Sequence, residues 1–182
     1  GIQVQYAGPL TSLERRDYSG EDWYRRLLSL DSRFIITDCY LGLRNAPHFT
    51  IGAKFPAKGE FYVLRASLDP GKMFNYITSL ERSSDVFISI VSRSGYYQLI
   101  HSNLGLPLDK SPIIPDPDKH LGVSSASIGN RDIGYAFAWL AGVDWSVIPR
   151  RRETVPGMGI SGDKTYAYTN LLIASVAVIL II

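Results

Sequence analysis

The histidine and cysteine side chains are the first candidates for metal or nucleophilic chemistry in this 182-residue chain. Cys39 is the only cysteine, so neither an intrachain disulfide nor a cysteine-based zinc site can form. His48, His101 and His120 lie far apart in the sequence and form no local ligand pair of the HExxH kind. The pattern predicts no metal and no cofactor, and each histidine is interpreted as a surface or hydrogen-bonded core residue.

Motifs of catalysis are also missing from the sequence. It contains no GxSxG segment, no Cys-His arrangement and no closely spaced pair of carboxylates. Asp17, Glu21 and Asp22 are typical of a solvated loop and a helix start. The formal charge of +2 is spread along the chain, which argues against a nucleic-acid partner. The region is therefore predicted not to be an enzyme, and an exported, membrane-tethered enzyme is the weakest alternative.

Hydrophobic periodicity in the first half predicts two helices and several strands. Trp23, Leu27 and Leu30 share one face of a helix over Glu21–Leu30 that Ser19 could cap. Asp69 and Pro70 are typical of the N-cap and first residue of a second helix. A Lys58-Gly59 turn separates two of the strands. The predicted strands are Ile2–Tyr6, Phe34–Tyr40, His48–Phe55 and Glu60–Leu68.

The second half repeats the strand pattern. A hairpin is predicted around Arg93-Ser94-Gly95, and the Gly142-Val143-Asp144 turn separates two further strands. The proline-rich segment from Leu104 to Gly122 is interpreted as a loop. Two successive small antiparallel sheets with helices at their edges give an α+β fold. The predicted strands here are Asp85–Val91, Tyr96–His101, Ile133–Ala141 and Trp145–Ile148.

The C-terminal run from Leu171 to Ile182 carries no charge over twelve residues. Twelve helical residues span about 18 Å, whereas the core of a bilayer needs about 30 Å. Tyr166 and Tyr168 precede the run, where an interfacial aromatic belt is expected. The run is interpreted as the start of a truncated transmembrane helix, and a core helix or strand of a soluble protein is the alternative.

Several segments resemble the double Cache sensor domains of bacterial histidine kinases and chemoreceptors. The resemblance is specific in the first half and fainter in the second, and it covers nearly all of the chain before the apolar run. The segments that carry it are YAGPL (6–10), DYSGEDWY (17–24), YLGLRNAPHF (40–49), LRASLD (64–69), SRSGYYQLIHS (92–102) and AGVDWSVIP (141–149).

The resemblance implies two PAS-like lobes that follow a long N-terminal helix, which this sequence lacks. Residues 1–82 would form the membrane-distal lobe, and residues 83–150 would form the membrane-proximal lobe. Residues 151–168 would be a juxtamembrane linker, and residues 169–182 would begin the transmembrane helix. Residues 1 to about 168 would then be periplasmic or extracellular, and the full receptor is expected to be an inner-membrane homodimer.

The resemblance also implies a small-molecule site in the distal lobe. Members that bind amino acids carry an Arg where this chain has Glu21, and an Asp near Arg65 that holds the ligand ammonium. These departures argue against an ordinary α-amino acid. Arg44 and Arg65 could instead bind a carboxylate or phosphate through the planar guanidinium fork. The candidate ligand-binding residues are Trp23, Tyr24, Asp38, Tyr40, Arg44, His48 and Arg65.

Structural roles remain open for some of these candidates. Trp23 has the helical spacing of a core residue, Arg44 could cap a carbonyl, and His48 could make a structural hydrogen bond. The expected function is nevertheless an extracytoplasmic sensor that binds a small, carboxylate-like ligand and signals across the membrane to a histidine kinase. The alternative is a structural or protein-binding module of a chemoreceptor or a diguanylate cyclase.

Overall fold

The structure, a computed structural model, describes residues 1–8, 16–42, 45–79, 86–102 and 104–151. It contains two compact units: Gly1–Asp38 with His48–Leu68, and Cys39–Pro47 with the described residues from Asp69 onward. The segment from Asp69 to residue 79 thus groups with the second unit, whereas the sequence places it in the first lobe. The predicted transmembrane helix (169–182) and the linker beyond Arg151 lie outside the described residues. Within those residues, no helix has the length and apolar character needed to cross a membrane.

The first unit contains one helix and a three-stranded antiparallel sheet. Its elements are α1 (Asp22–Ser29), β1 (Phe34–Ile36), β2 (Phe49–Ala57) and β3 (Glu60–Leu68), with the strand order β1-β2-β3. Lys58 and Gly59 join β2 to β3 with φ angles of 53° and 81°, as a type I′ turn requires. This two-residue turn sets the register, in which Thr50 lies opposite Ser67 and Gly52 lies opposite Arg65.

Helix α1 packs against the sheet at Gly52. Trp23 and Leu27, four residues apart, are its buried side chains. A Cβ atom on Gly52 would lie 3.1 Å from Leu27 Cδ2, so the absence of a side chain there allows the close approach. The predicted cap is wrong. Glu21 occupies the N-cap position, and the N–H of Ser19 instead donates to the Asp17 carboxylate at 2.9 Å within a local turn.

The other face of this sheet is apolar and partly open to solvent. Phe55 and Tyr62 stack with ring centroids 6.0 Å apart on neighbouring strands. Phe34, Phe55 and Leu64 are 51%, 47% and 68% exposed. The two faces of the sheet therefore differ in character, and the candidate Arg65 lies on the face that packs against α1.

The second unit contains helix α2 and a five-stranded antiparallel sheet. Asp69 caps the helix as predicted, since its Oδ1 accepts the N–H groups of Gly71 (2.8 Å) and Lys72 (3.2 Å). The strand order is β5-β4-β8-β7-β6. The elements are α2 (Pro70–Ser79), β4 (Val86–Ser92), β5 (Tyr97–Leu99), β6 (Leu121–Ile128), β7 (Arg131–Trp139) and β8 (Trp145–Arg151).

Two strand predictions fail in identifiable ways. Among the described residues, the segment Ile2–Tyr6 forms a single isolated bridge, between Ile2 and Asp17, rather than a strand. Conversely, Leu121 and Gly122, interpreted as the end of a loop, begin β6. Gly122 fits there because the Phe137 ring of β7 occupies the space a Cβ atom would need, at 2.9 Å.

The core of the second unit lies between its sheet and the proline-rich segment. Trp139 is 6% exposed, and its indole N–H donates to the carbonyl of Asp116 at 3.0 Å. That bond ties the segment to β7. The buried side chains of this core are Val91, Tyr97, Ile100, Ile113, Tyr135, Phe137, Trp139 and Ile148.

Candidate functional site

The guanidinium of Arg65 is the centre of a polar and aromatic cluster in the first unit. Arg65 lies on β3 and points to the α1 side of the sheet, as its neighbours there show. Its Nη1 donates to the hydroxyl of Tyr18, and its Nη2 donates to Oγ1 of Thr50, both at 3.4 Å. Both hydrogen bonds are longer than is usual between an N–H donor and an oxygen acceptor.

Aromatic rings flank the same guanidinium. Its central carbon lies 4.9 Å from the ring centroid of Tyr18 and 5.3 Å from that of Trp23. The two rings are themselves 5.8 Å apart, and Tyr24 contacts Trp23 edge-on with centroids 5.6 Å apart. Rings within about 6 Å of a guanidinium attract it through the ring quadrupole. Tyr18, Trp23 and Tyr24 therefore form an aromatic wall on one side of Arg65.

Buried hydroxyl groups lie on the other side of Arg65. Thr50 is fully buried, and its backbone N–H donates to Oγ1 of Thr37 at 2.9 Å. The N–H of Thr37 donates back to the carbonyl of Thr50 at 3.0 Å, which extends the pairing of β1 and β2 by one residue. Thr50 therefore has a fixed position, from which its hydroxyl contacts Arg65.

Two further donor groups on this side of the sheet are buried. The Trp23 indole N–H and the Ser67 hydroxyl have no hydrogen-bond partner within the part of the chain that the structure describes. Trp23 is only 4% exposed. Buried polar groups in native proteins are nearly always hydrogen-bonded, and each exception calls for an explanation. A bound molecule that offers acceptors would satisfy both.

The donor groups of the cluster restrict which molecules it could bind. Arg and Trp side chains can only donate hydrogen bonds, so a molecule recognised by Arg65 and Trp23 has to present acceptor atoms. Among the described residues, no group of three His, Cys, Asp or Glu side chains could hold a metal ion.

The structure brings together some of the residues predicted from the sequence. Trp23 contacts both Arg65 and Tyr24 within the first unit. His48 is buried next to β2, and Asp38 is exposed at the end of the unit. Their roles in binding remain predictions.

Two other candidates lie outside the described part of the first unit. Tyr40 belongs to the second unit, where it is partly buried. Arg44 lies outside the described residues. The role of each in binding likewise remains a prediction.

Sequence reasoning missed the hydroxyl groups of the cluster. Ser67 could have been found, because it lies two residues from Arg65 on a predicted strand and thus on the same face. The two-residue Lys58-Gly59 turn also implies the register that places Thr50 opposite Ser67. Tyr18 carried no such signal, because it precedes α1 in an irregular segment.

Comparison with known proteins gives results at the level of structure. No protein-family model and no curated protein sequence matches the chain. The extracellular domain of the histidine kinase rpHK1S-Z16 is similar, with a TM-score of 0.61 and 14% identity over 79% of this chain and 64% of that one.

Two chemoreceptor domains are also similar. The ligand-binding domain of Pseudomonas fluorescens CtaA, in complex with L-serine, has a TM-score of 0.56 and 16% identity over 76% of this chain and 63% of its own. The ligand-binding domain of the Pseudomonas aeruginosa PAO1 amino acid chemoreceptor PctB, in complex with L-Arg, has a TM-score of 0.55. Its identity is 21% over 88% of this chain and 62% of its own.

The chain spans less than two thirds of each of these three structures. The TM-scores, all above 0.5, show a shared fold despite the low sequence identities, and the antiparallel sheets and few helices of both units agree with it. The described chain thus has the fold of the Cache-type ligand-binding domains of chemoreceptors and histidine kinases, as the resemblance in its sequence implied.

Proposed function

We propose that this region is the ligand-sensing domain of a membrane receptor and that it binds a small organic carboxylate at Arg65. The observation that carries the proposal is the set of donors on one side of the first sheet. The Arg65 guanidinium, the Trp23 indole N–H and the Ser67 hydroxyl all lie on the side that faces α1. A carboxylate supplies acceptors to all three.

The guanidinium supports a carboxylate rather than a neutral ligand. Its planar fork matches two carboxylate oxygens, and a charge-assisted hydrogen bond is roughly twice as strong as a neutral one. The flanking rings of Tyr18 and Trp23 exclude water from one side of Arg65, which strengthens its attraction for an anion. The long bonds to Tyr18 and Thr50 can be exchanged for shorter ones to a ligand.

The solved structures with this fold support the same class of ligand. CtaA is described with L-serine and PctB with L-Arg, and both of those ligands carry a carboxylate. This chain has Glu21 and Arg65 where resemblance to amino-acid-binding members would place an Arg and an Asp. The proposed ligand is therefore a carboxylate whose recognition does not depend on an α-ammonium group.

Signalling forms the second part of the proposal. The domain would lie outside the inner membrane, anchored through the apolar run Leu171–Ile182, in a homodimeric receptor that signals to a histidine kinase. The likeness to the extracellular domain of rpHK1S-Z16 supports a kinase as the output. The uninterrupted apolar character of the run supports the anchor.

A thermal-shift screen tests the ligand class. The panel contains succinate, L-malate, acetate, γ-aminobutyrate and L-serine, each beside its amide analogue. A ligand at about 100 times its dissociation constant stabilises the fold by about 2.7 kcal/mol. At least one carboxylate should raise the melting temperature while its amide does not. Stabilisation by L-serine alone would contradict the independence from an α-ammonium group, and equal effects of acids and amides would contradict a role for Arg65 as an anion site.

A further inference from the structure

The outer edge of β6 is the longest uncharged sheet edge among the described strands. β6 is the last strand of the five-stranded sheet and pairs with β7 through the two-residue turn Gly129-Asn130. Its sequence, LGVSSASI, contains neither a charged residue nor a proline over eight residues. Charged residues and prolines are the usual devices that keep an open edge from pairing with another strand.

The outward-facing backbone groups of β6 follow from the hydrogen-bond register. Trp139 donates its N–H to the carbonyl of His120 at 2.8 Å, one position beyond the paired residues Leu121 and Ala138. Because antiparallel pairs alternate between bonded and non-bonded positions, the even-numbered residues of β6 bond to β7. The odd-numbered residues, Leu121, Val123, Ser125 and Ser127, therefore direct their N–H and C=O groups to the open edge.

The other sheet edges are protected by their own sequences or neighbours. At β5, the Tyr97 N–H donates to Asp109 and its carbonyl accepts the N–H of Leu108, both at 2.9 Å, so a loop covers that edge. β1 is only three residues long. β3 carries charges at Glu60 and Arg65. Only β6, among the described strands, combines length with a bare and uncharged edge.

We propose that β6 pairs antiparallel with β6 of a second copy of this chain, around a two-fold axis at Ser124. The four outward-facing residues are spaced symmetrically about Ser124, so the N–H and C=O groups of Val123 meet those of Ser125 in the copy. Around this axis Ser124 lies opposite its own equivalent and Ser125 lies diagonally across from its own, so charged residues at these positions would repel their equivalents. The uncharged sequence of β6 avoids that repulsion.

Side chains along β6 agree with self-pairing. Leu121 and Val123 are 48% and 52% exposed, and a second strand would cover part of both. The serines near the axis are small and uncharged, so they introduce no clash and no repulsion between side chains of strands about 4.8 Å apart. Pairing would join two five-stranded sheets into one continuous sheet. The surface lies in the second unit and includes no residue of the proposed carboxylate site.

Analytical ultracentrifugation of the 182-residue chain in detergent tests this interface. The wild-type chain should have twice its 20.2 kDa monomer mass. Ser125→Lys introduces like charges on both sides of the axis and should restore the monomer, whereas Ser125→Thr should leave the dimer intact. A monomeric wild type would overturn the proposal, and so would a dimer that persists in Ser125→Lys.

Disulfide trapping provides a second readout, which does not depend on a destabilising variant. Ser124→Cys should place two cysteines on a close, non-hydrogen-bonded pair, with Cα atoms about 4.5 Å apart, and oxidation should yield a covalent dimer. Ser127→Cys is the matched control, because residue 127 lies three positions from the axis and therefore roughly 20 Å from its equivalent. Cys39 is buried and contributes little background. Equal trapping of the two variants would contradict the register.

Discussion

The guanidinium carbon of Arg65 lies 5.3 Å from the ring centroid of Trp23 and thereby joins strand β3 to helix α1. The same contact belongs to the fold and to the proposed binding site. It stabilises the packing of α1 through a cation–π attraction and holds the guanidinium beside the indole N–H. Ligand binding at this contact is therefore expected to alter how α1 packs on the sheet.

Replacing Trp23 by Phe removes the indole N–H together with part of a buried ring. The smaller ring should lower the free energy of unfolding, but the loss of the N–H itself should add almost nothing, because it has no acceptor among the described residues. If it donates to the ligand, the affinity for the carboxylate found by the screen should fall roughly ten-fold, or about 1.4 kcal/mol. Trp139→Phe is the matched control, because that indole already donates to Asp116. It should reduce stability and leave affinity unchanged.

The hydroxyl of Thr37 is predicted to be structural. Thr37→Val removes the acceptor of the buried Thr50 N–H and should destabilise the chain by about 1–3 kcal/mol in urea unfolding. Thr37→Ser keeps the acceptor and should recover most of the loss. Equal destabilisation by Val and Ser would mean that the methyl group, and not the hydrogen bond, stabilises this position.

Gly52 should tolerate no branched side chain. The Cβ of Gly52→Val would lie 3.1 Å from Leu27 and 3.4 Å from Trp23, and its methyl groups would push α1 from the sheet. Overpacking of this kind costs about 1–3 kcal/mol in the free energy of unfolding. The control is Gly20→Val, which has no neighbouring atom within 4 Å and should be nearly neutral. Similar losses in both variants would contradict the close packing of α1.

The carboxylate of Asp116 is predicted to stabilise the fold in a pH-dependent way. The backbone N–H of Asp118 (3.0 Å) and the Lys119 ammonium (3.1 Å) lower the pKa of Asp116 below its ordinary range. A depressed folded-state pKa contributes stability above the unfolded-state value of about 3.9, and this is lost as pH falls through the folded-state pKa. Asp116→Asn should therefore be less stable than the wild type at pH 7, and urea unfolding should show the difference closing below about pH 3. A difference that stays constant with pH would contradict this assignment.

Much of the fold follows from local sequence signals. The i, i+4 spacing of Trp23 and Leu27 predicts α1, and Asp69-Pro70 marks the start of α2. The Lys58-Gly59 turn predicts the β2–β3 hairpin. β6 escaped prediction because its serines have weak strand propensity, and its conformation depends on pairing with β7.

The candidate site was less accessible to sequence reasoning. Trp23 and Arg65 were identified through the resemblance to Cache domains. Thr37 and Thr50 lie thirteen residues apart and meet only through the register of β1 and β2. Side-chain burial was equally hidden, since nothing in the residue types reveals that the Trp23 indole N–H and the Ser67 hydroxyl are enclosed.

Isothermal titration of the strongest-binding carboxylate with the wild type, Arg65→Lys and Arg93→Lys tests the central claim most directly. Arg93 is the matched control, because it also lies over an aromatic ring, 4.7 Å from that of Trp139, but in the second unit. Losing the guanidinium fork at Arg65 should weaken binding by roughly 10- to 100-fold, equivalent to about 1.5–3 kcal/mol. Arg93→Lys should bind like the wild type. Unchanged affinity in Arg65→Lys, or an equal loss in both variants, would contradict a carboxylate site at Arg65.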